Sequence, residues 1–329
     1  MSIVKETAGK RPELRFDKKG RFRILMASDL QEPPVYDQRA LEGLRAMIAY
    51  AKPDLVVLGG DNADGRKLKT AKELREYLDV FTRPMEEKNI PWIHVFGNHD
   101  YDIDVPARRQ NAIYRSYPLC LSGTSPRGVE GASNYAVPIL SSSGDGVAYV
   151  IYAFDTRHKN MVYRSGAGPD QLLLEGNETV ARKWDGLSFN QVAWYVRRSK
   201  EFEKKAGHPV RAMAVMHVPP YEFTRVVANP EACGLEGDAD QKLQCPMLNS
   251  GIFAAMLERG DVETIAAGHL HKDTFSGEYA GILCALDGCA GFSPGNFDER
   301  RGGRIFDIYE SGGRTTEFIS VTRLLGTGV

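Results

Sequence analysis

The sequence predicts an α/β fold, and three observations predict it. Short apolar runs rich in β-branched and aromatic residues alternate with longer stretches of helical spacing through the first hundred residues. Each of these apolar runs stops abruptly at glycine or a polar residue, as buried strands do. From about residue 281 the helical spacing disappears and three apolar runs follow one another, which reads as a closing set of antiparallel strands.

Residues 1–20 are charged and read as an arm or an edge hairpin; residues 21–325 read as one domain. A first strand covers Phe22 to Ala27 and ends in Ser28-Asp29-Leu30-Gln31. After the turn forced by Pro33-Pro34, Leu41, Leu44 and Ile48 give helical spacing from about Asp37 to Ala51. Asp54 to Leu58 is a second strand, closed by Gly59-Gly60-Asp61-Asn62, whose glycines let the backbone approach whatever Asp61 holds. Leu74, Leu78 and Phe81 place a helix over Thr70 to Lys88, which feeds the strand Pro91 to Phe96 and its tip Gly97-Asn98-His99-Asp100. Strand–helix–strand–helix–strand at this spacing is the pattern of a parallel sheet with crossover helices.

Helix then loop is expected over Tyr101 to Pro126, and neighbouring strands over Asn134 to Leu140 and Val147 to Phe154. The segment 156–186 is polar, with no period, and in its midst His158, Tyr163 and Arg164 could contact a substrate or simply be solvated. Ser188 to Lys205 returns to helix, Arg211 to Met216 is a strand tipped by His217, and Tyr221 to Leu248 is irregular. A helix at Gly251 to Arg259 leads to the strand Val262 to Ala267, which ends in Gly268-His269-Leu270-His271. The closing strands are placed at Gly281 to Leu286, Arg304 to Tyr309 and Thr316 to Val321.

Composition excludes several functions. At 329 residues, 42% hydrophobic and 26% charged, the chain is an ordinary globular one. A formal charge of −1 gives no electrostatic case for nucleic acid or an anionic membrane as a partner. No apolar run approaches the ~20 residues that span a bilayer. The first ten residues lack the apolar core of a secretory signal, so a cytoplasmic location is expected. The five cysteines include no Cys-x-x-Cys pair and are expected to be buried free thiols, Cys233 and Cys245 being the one pair a bridge could join.

The chemistry is concentrated at the strand tips. Asp29 and Gln31, Asp61, Asn98 and His99, His217, then His269 and His271 together offer carboxylates, amides and imidazoles, the donors two adjacent divalent metals require. Asp61 is the natural bridge, because one carboxylate can give an oxygen to each ion. His269 and His271 are alternate residues that a regular strand would send to opposite faces; beside Gly268 the backbone can turn and aim one at each metal. His99 offers an imidazole and Asp100 a carboxylate able to orient it. Alone, any of these residues would more often be a loop cap or a core histidine.

The set in this order resembles the calcineurin-like metallophosphoesterase superfamily. For its pattern of Asp-x-His, Gly-Asp, Gly-Asn-His-Asp/Glu, a lone His and Gly-His-x-His the chain supplies, in order, Asp29-Leu30-Gln31, Gly60-Asp61, Gly97-Asn98-His99-Asp100, His217 and Gly268-His269-Leu270-His271. The text around Met216-His217-Val218-Pro219-Pro220 and Gly260-Asp261-Val262 is similar to the purple-acid-phosphatase-related branch of fungal, plant and bacterial phosphatases. The resemblance implies a four-layer sandwich, two mixed sheets face to face with helices outside. It implies a first metal held by Asp29, residue 31, Asp61 and His271, and a second held by Asp61, Asn98, His217 and His269. It implies that His99 donates a proton to the leaving oxygen or holds the phosphate, with Asp100 orienting it. Expected cofactors are two ions of manganese, iron or zinc, with magnesium an option; expected substrates are phosphorylated small molecules or phosphoproteins.

Two departures qualify this. Position 31 is Gln where the family usually has His, and a neutral amide oxygen is a weaker ligand for zinc or iron than imidazole, which favours manganese or magnesium there. After Gly60-Asp61 the chain reads Asn62-Ala63-Asp64-Gly65, with no tyrosine for a coloured iron–tyrosinate site. The reading is therefore a phosphohydrolase, phosphomonoesterase favoured, with phosphodiesterase or nucleotide-pyrophosphate hydrolase as alternatives. A non-catalytic metal-binding scaffold is the reading from a different class. Retention of His99 and Asp100 favours an enzyme, since a scaffold has no chemical need of them.

Overall fold

In the computed structural model, residues 11–157, 186–240, 243–246, 249–295 and 297–326 are described. The chain runs through β1 (Leu14–Arg15), β2 (Arg21–Ala27), α1 (Gln38–Ala51), β3 (Leu55–Leu58), α2 (Ala71–Phe81), α3 (Arg83–Glu87) and β4 (Trp92–His94). Next come α4 (Ala107–Tyr114), the hairpin strands β5 (Tyr135–Leu140) and β6 (Val147–Ala153), α5 (Phe189–Ala206), β7 (Ala212–Met216), α6 (Phe223–Ala228), α7 (Ile252–Arg259) and β8 (Val262–Ala267). The last elements are β9 (Ser276–Tyr279), β10 (Ile282–Leu286), β11 (Gly302–Tyr309), β12 (Arg314–Ser320) and α8 (Val321–Leu325).

These strands form two mixed sheets. One has the order β12-β11-β2-β3-β4, parallel across β2, β3 and β4 and antiparallel at β11 and β12. The other has the order β1-β5-β6-β7-β8-β10-β9, with β6, β7, β8 and β10 parallel. Both faces of the central strands are apolar, and period-two alternation sorts the side chains into layers. In β2, Ile24 and Met26 face the other sheet and pack with Ile151, Met213 and Val215. Leu25 and Ala27 face the opposite way, against Leu44 and Met47 of α1. In the second sheet Tyr152, Ala214 and Ile265 point outward to Tyr195 of α5 and Met256 of α7. Helix, sheet, sheet, helix is the four-layer sandwich expected.

Local chemistry sets the helix ends. Thr70 and Glu73 form a reciprocal capping box at the start of α2, and Ser188 with Gln191 does the same for α5. The helix expected to run to Lys88 stops at Phe81 and resumes as the short α3, because Pro84 has no N–H to give a carbonyl one turn back. The expected closing antiparallel set is split between the sheets. β10 joins the seven-stranded one, parallel to β8, while β11 and β12 flank β2. β9 was not anticipated, nor was α6 within the irregular stretch 221–248. Of the charged arm, Leu14–Arg15 pairs in parallel with β5 at the sheet edge, with Leu14 and Phe16 buried. All five cysteines are buried and free, Cys233 and Cys245 included. His158, Tyr163 and Arg164 lie outside the described residues. No helix among the described residues is long and apolar enough to cross a membrane.

Candidate metal centre

The C-terminal ends of β2, β3 and β4 meet those of β7 and β8, where open sheets gather ligands. Four of the candidate residues sit in the left-handed backbone region: Asp29 (φ 54°), Gln31 (φ 40°), Asp61 (φ 47°) and His269 (φ 72°). Such conformations cost non-glycine residues of order 1–3 kcal/mol each and persist only where the surroundings over-determine them. Here they turn each chain sharply off its strand. His269 thereby departs from the alternation of β8. The tips also pack at backbone contact. A Cβ on Gly97 would lie 2.2 Å from the Asp61 amide nitrogen, and one on Gly60 would lie 2.5 Å from the His217 ring.

Asp61 is the hub. Its Oδ1 accepts the His99 amide N–H at 2.6 Å and its Oδ2 accepts Gln31 Nε2 at 2.7 Å. His217 Nε2 lies 3.2 Å from the same Oδ2. Donor atoms of Asp61, His217 and His269 all lie within 4.8 Å of one another, close enough to share one ion. On the other side Asp29 Oδ1 lies 3.0 Å from His271 Nε2, and Asp29 Oδ2 accepts the His269 amide N–H at 2.9 Å. His217 Nε2 is 3.9 Å from Asp29, so that ring sits between both carboxylates. Its Nδ1 bonds the Gly59 carbonyl at 3.0 Å, which leaves Nε2 as the nitrogen for the centre. Asn98 is buried, and its Oδ1 has no hydrogen-bond partner. A buried amide oxygen left without a donor is what a metal ligand looks like in the protein alone. Gln31, as placed, turns its NH₂ to Asp61; the flipped amide would present oxygen.

Electrostatics agree with a cation site. Burial works to raise the Asp29 and Asp61 carboxyls, but the neighbouring histidines, His217 foremost, outweigh it and hold both below the usual range. Burial works to lower His217, yet Asp61 and Asp29 push it up to about 10. Burial and the His217 charge pull His269 down to about 3, so it is neutral and able to ligate. The protein alone thus meets the charge of two buried carboxylates with a proton on His217; a divalent ion would do so with that imidazole neutral.

The expected pairing of His99 with Asp100 does not occur. His99 Nδ1 bonds Asp102 Oδ2 at 2.7 Å. Asp100 points inward, accepting the Gly97 amide at 2.8 Å and the Asn62 amide at 3.1 Å, and so ties the tip of β4 to that of β3. Burial, then the Asp61 charge, raises its carboxyl well above the ordinary value. The turn explains the swap: Asp100–Asp102 is a single 3₁₀ turn, in which residues three apart eclipse and adjacent ones diverge. A His-x-x-Asp spacing was the available signal. Glu32 is also buried but is no ligand, since it accepts the amides of Asp37, Phe292 and Ser293. Behind the centre, Ser28 Oγ lies 2.7 Å from Asp29 and 2.6 Å from Asp287, a buried carboxyl pushed up to about 7 by burial. Nothing in the sequence marked Asp287. Asp61, Asn98, His99, His269 and His271 open onto a cleft of about 790 Å³ whose walls include Lys272 and Phe297.

The family model of the calcineurin-like phosphoesterases matches residues 22–273. The chain belongs to that family. An Arabidopsis thaliana protein named "Probable inactive purple acid phosphatase 14" is 28% identical over 315 residues, which cover 86% of this chain and 73% of that one. The Saccharomyces cerevisiae "Phosphatase DCR2" is 23% identical over 281 residues, 78% of this chain and 45% of that one. A crystal structure of a dimetal phosphatase from Danio rerio shares the fold with a TM-score of 0.55 and 14% identity, over 91% of this chain and 99% of that chain.

Proposed function

We propose that this calcineurin-like phosphoesterase is a metal-dependent phosphohydrolase, with phosphomonoesters of small molecules or proteins its favoured substrates. Phosphodiesters and nucleotide pyrophosphates are the alternative substrate classes. The observation that supports the reading is the buried group of Asp61, His217 and His269, whose donor atoms lie within 4.8 Å of one another, with Asp61 and His269 lining an open cleft. Asp29, Gln31, Asp61 and His271 would hold one ion, and Asp61, Asn98, His217 and His269 the other. Bound divalent ions would supply an activated water and positive charge facing the phosphoryl oxygens. The remaining work falls to the chain: Asp61 keeps both donor sets in register, and His99, at the cleft wall, gives a proton to the leaving oxygen.

One observation favours a scaffold instead. Gln31 replaces a stronger donor and is hydrogen-bonded to Asp61. His99→Ala separates the readings. Assayed with manganese, zinc, iron and magnesium, the variant is expected to keep its metals but lose roughly 10²–10⁴-fold in kcat/KM on an alkyl phosphate. The loss on nitrophenyl phosphate should be smaller, because that leaving group needs little protonation. Equal losses would make His99 a phosphate-binding group, and no loss on either ester would leave the scaffold standing.

A further inference from the structure

We propose that Asp287 is a positioning residue for Asp29, donating a hydrogen bond to the Ser28 hydroxyl so that Ser28 in turn donates to Asp29. This rests on the phosphohydrolase reading above, which gives Asp29 to the first ion. β10 lies parallel to β8 with Leu286 opposite Ala267, so Asp287 leaves its strand beside Gly268 and the His269 tip. It is a buried strand-tip carboxyl outside the donor sets. Its Oδ1 lies 2.6 Å from Ser28 Oγ, which lies 2.7 Å from Asp29 Oδ2. Gly268 leaves room for this chain of contacts: a Cβ there would lie 2.4 Å from Ser28 Oγ and 2.9 Å from Asp29 Oδ2.

A hydroxyl has one hydrogen to give, and two carboxyl oxygens stand at bonding distance from Ser28. The second contact therefore needs a hydrogen on one of the carboxyls. Asp29 is not its place, because Oδ2 already accepts the His269 amide N–H at 2.9 Å and Oδ1 lies 3.0 Å from His271 Nε2. Asp287 is. Its other oxygen, Oδ2, is buried and has no hydrogen-bond partner among the described residues, so an ionised group there would leave charge unpaired. Arg304, the cation that faces it, gives its hydrogens to the Leu286 and Thr274 carbonyls and the Thr316 hydroxyl instead. Two donors on Oδ2, the His269 amide and Ser28, stop the Asp29 carboxylate from swinging. Oδ1, beside His271, is then the oxygen left for the first ion, and the donors assigned to the second ion do not include Asp29.

The test measures manganese affinity in the full chain by chelator competition, for Asp287→Leu, Asp287→Asn, Ser28→Ala and the pair Ser28→Ala with Asp287→Leu. Circular dichroism checks that each variant is folded. Asp287→Leu fills the volume but offers no hydrogen, and should weaken one of the two ions on the order of 10–100-fold, the range for outer partners of metal ligands. The other ion should keep its affinity. Asp287→Asn supplies an N–H to Ser28 Oγ and should bind both ions as wild type does. Ser28→Ala should weaken the same ion, and adding Asp287→Leu to it should cost nothing further. Ions of unaltered affinity in Asp287→Leu, two ions weakened alike, an Asn variant no better than Leu, or an additive pair would overturn the proposal. A wild type that takes up no ion overturns the phosphohydrolase reading, and this proposal with it.

Discussion

The two sheets bring chemically different halves to the candidate centre. Asp29, Gln31, Asp61 and Asn98, all oxygen donors, stand on the tips of the five-stranded sheet, whereas His217, His269 and His271 stand on those of the seven-stranded sheet. The oxygen half is stitched by its own backbone. Gly60 O accepts Asp29 N, Asp61 O accepts Gln31 N, and Asp61 Oδ1 accepts His99 N. The imidazole half is held largely by what it meets across the gap: His217 by Gly59 O, His269 and His271 by Asp29. Negative charge built into one half is answered by nitrogen donors from the other, so the centre exists only when both sheets are docked.

Three changes test this division, beginning with the most disruptive. Asp61→Ala removes the carboxylate that the proposed function assigns to both ions. Metal analysis of protein loaded with manganese or iron should then show both ions lost and activity gone, while the inter-sheet core keeps the chain folded. Retention of both ions would contradict the bridging role. Gln31→His makes the oxygen half more like its partner. Zinc should bind tighter on the order of tenfold, about 1.4 kcal/mol, in competition with a chelator. Unchanged affinity would mean that residue 31 does not reach the ion.

The third test is a stability slope in chelator-treated protein. His217, ordinarily near 6.5, is raised to about 10 by Asp61 and Asp29 against the opposing pull of burial. The folded state therefore holds a proton that the unfolded chain releases earlier. Its stabilisation is complete below about pH 6.5 and is lost as pH rises through 10. Urea midpoints should fall over that window, and His217→Gln or added metal should flatten the fall. A metal-free protein with level midpoints from pH 6.5 to 10 would mean that the two halves are not paired by that proton.

Asp102 shows where sequence reading reached its limit. Asp29, Asp61, His217 and His269 are legible because strand tips are marked by an apolar run and then a polar residue; the structure gathers Asp61, His217 and His269 in one buried cluster and sets buried Asp29 against the two histidines. Sequence adjacency points to Asp100 as the partner of His99, yet adjacency is a poor guide inside a 3₁₀ turn, where residue i+3 stands over residue i. Asp287 lay further out of reach, since its contact with Ser28 spans 259 positions and leaves no local pattern.

The sequence by itself determined the α/β class, the strands that carry the site and the donor types at their tips, because hydrophobic period and strand-end chemistry are local properties. Tertiary structure alone decided which sheet each late strand joined and how the oxygen and imidazole halves face each other. It also decided which aspartate holds His99 and which is buried to tie two loops together. Those choices depend on backbone turns into the left-handed region and on contacts between residues hundreds of positions apart, where only the docked sheets set the distances.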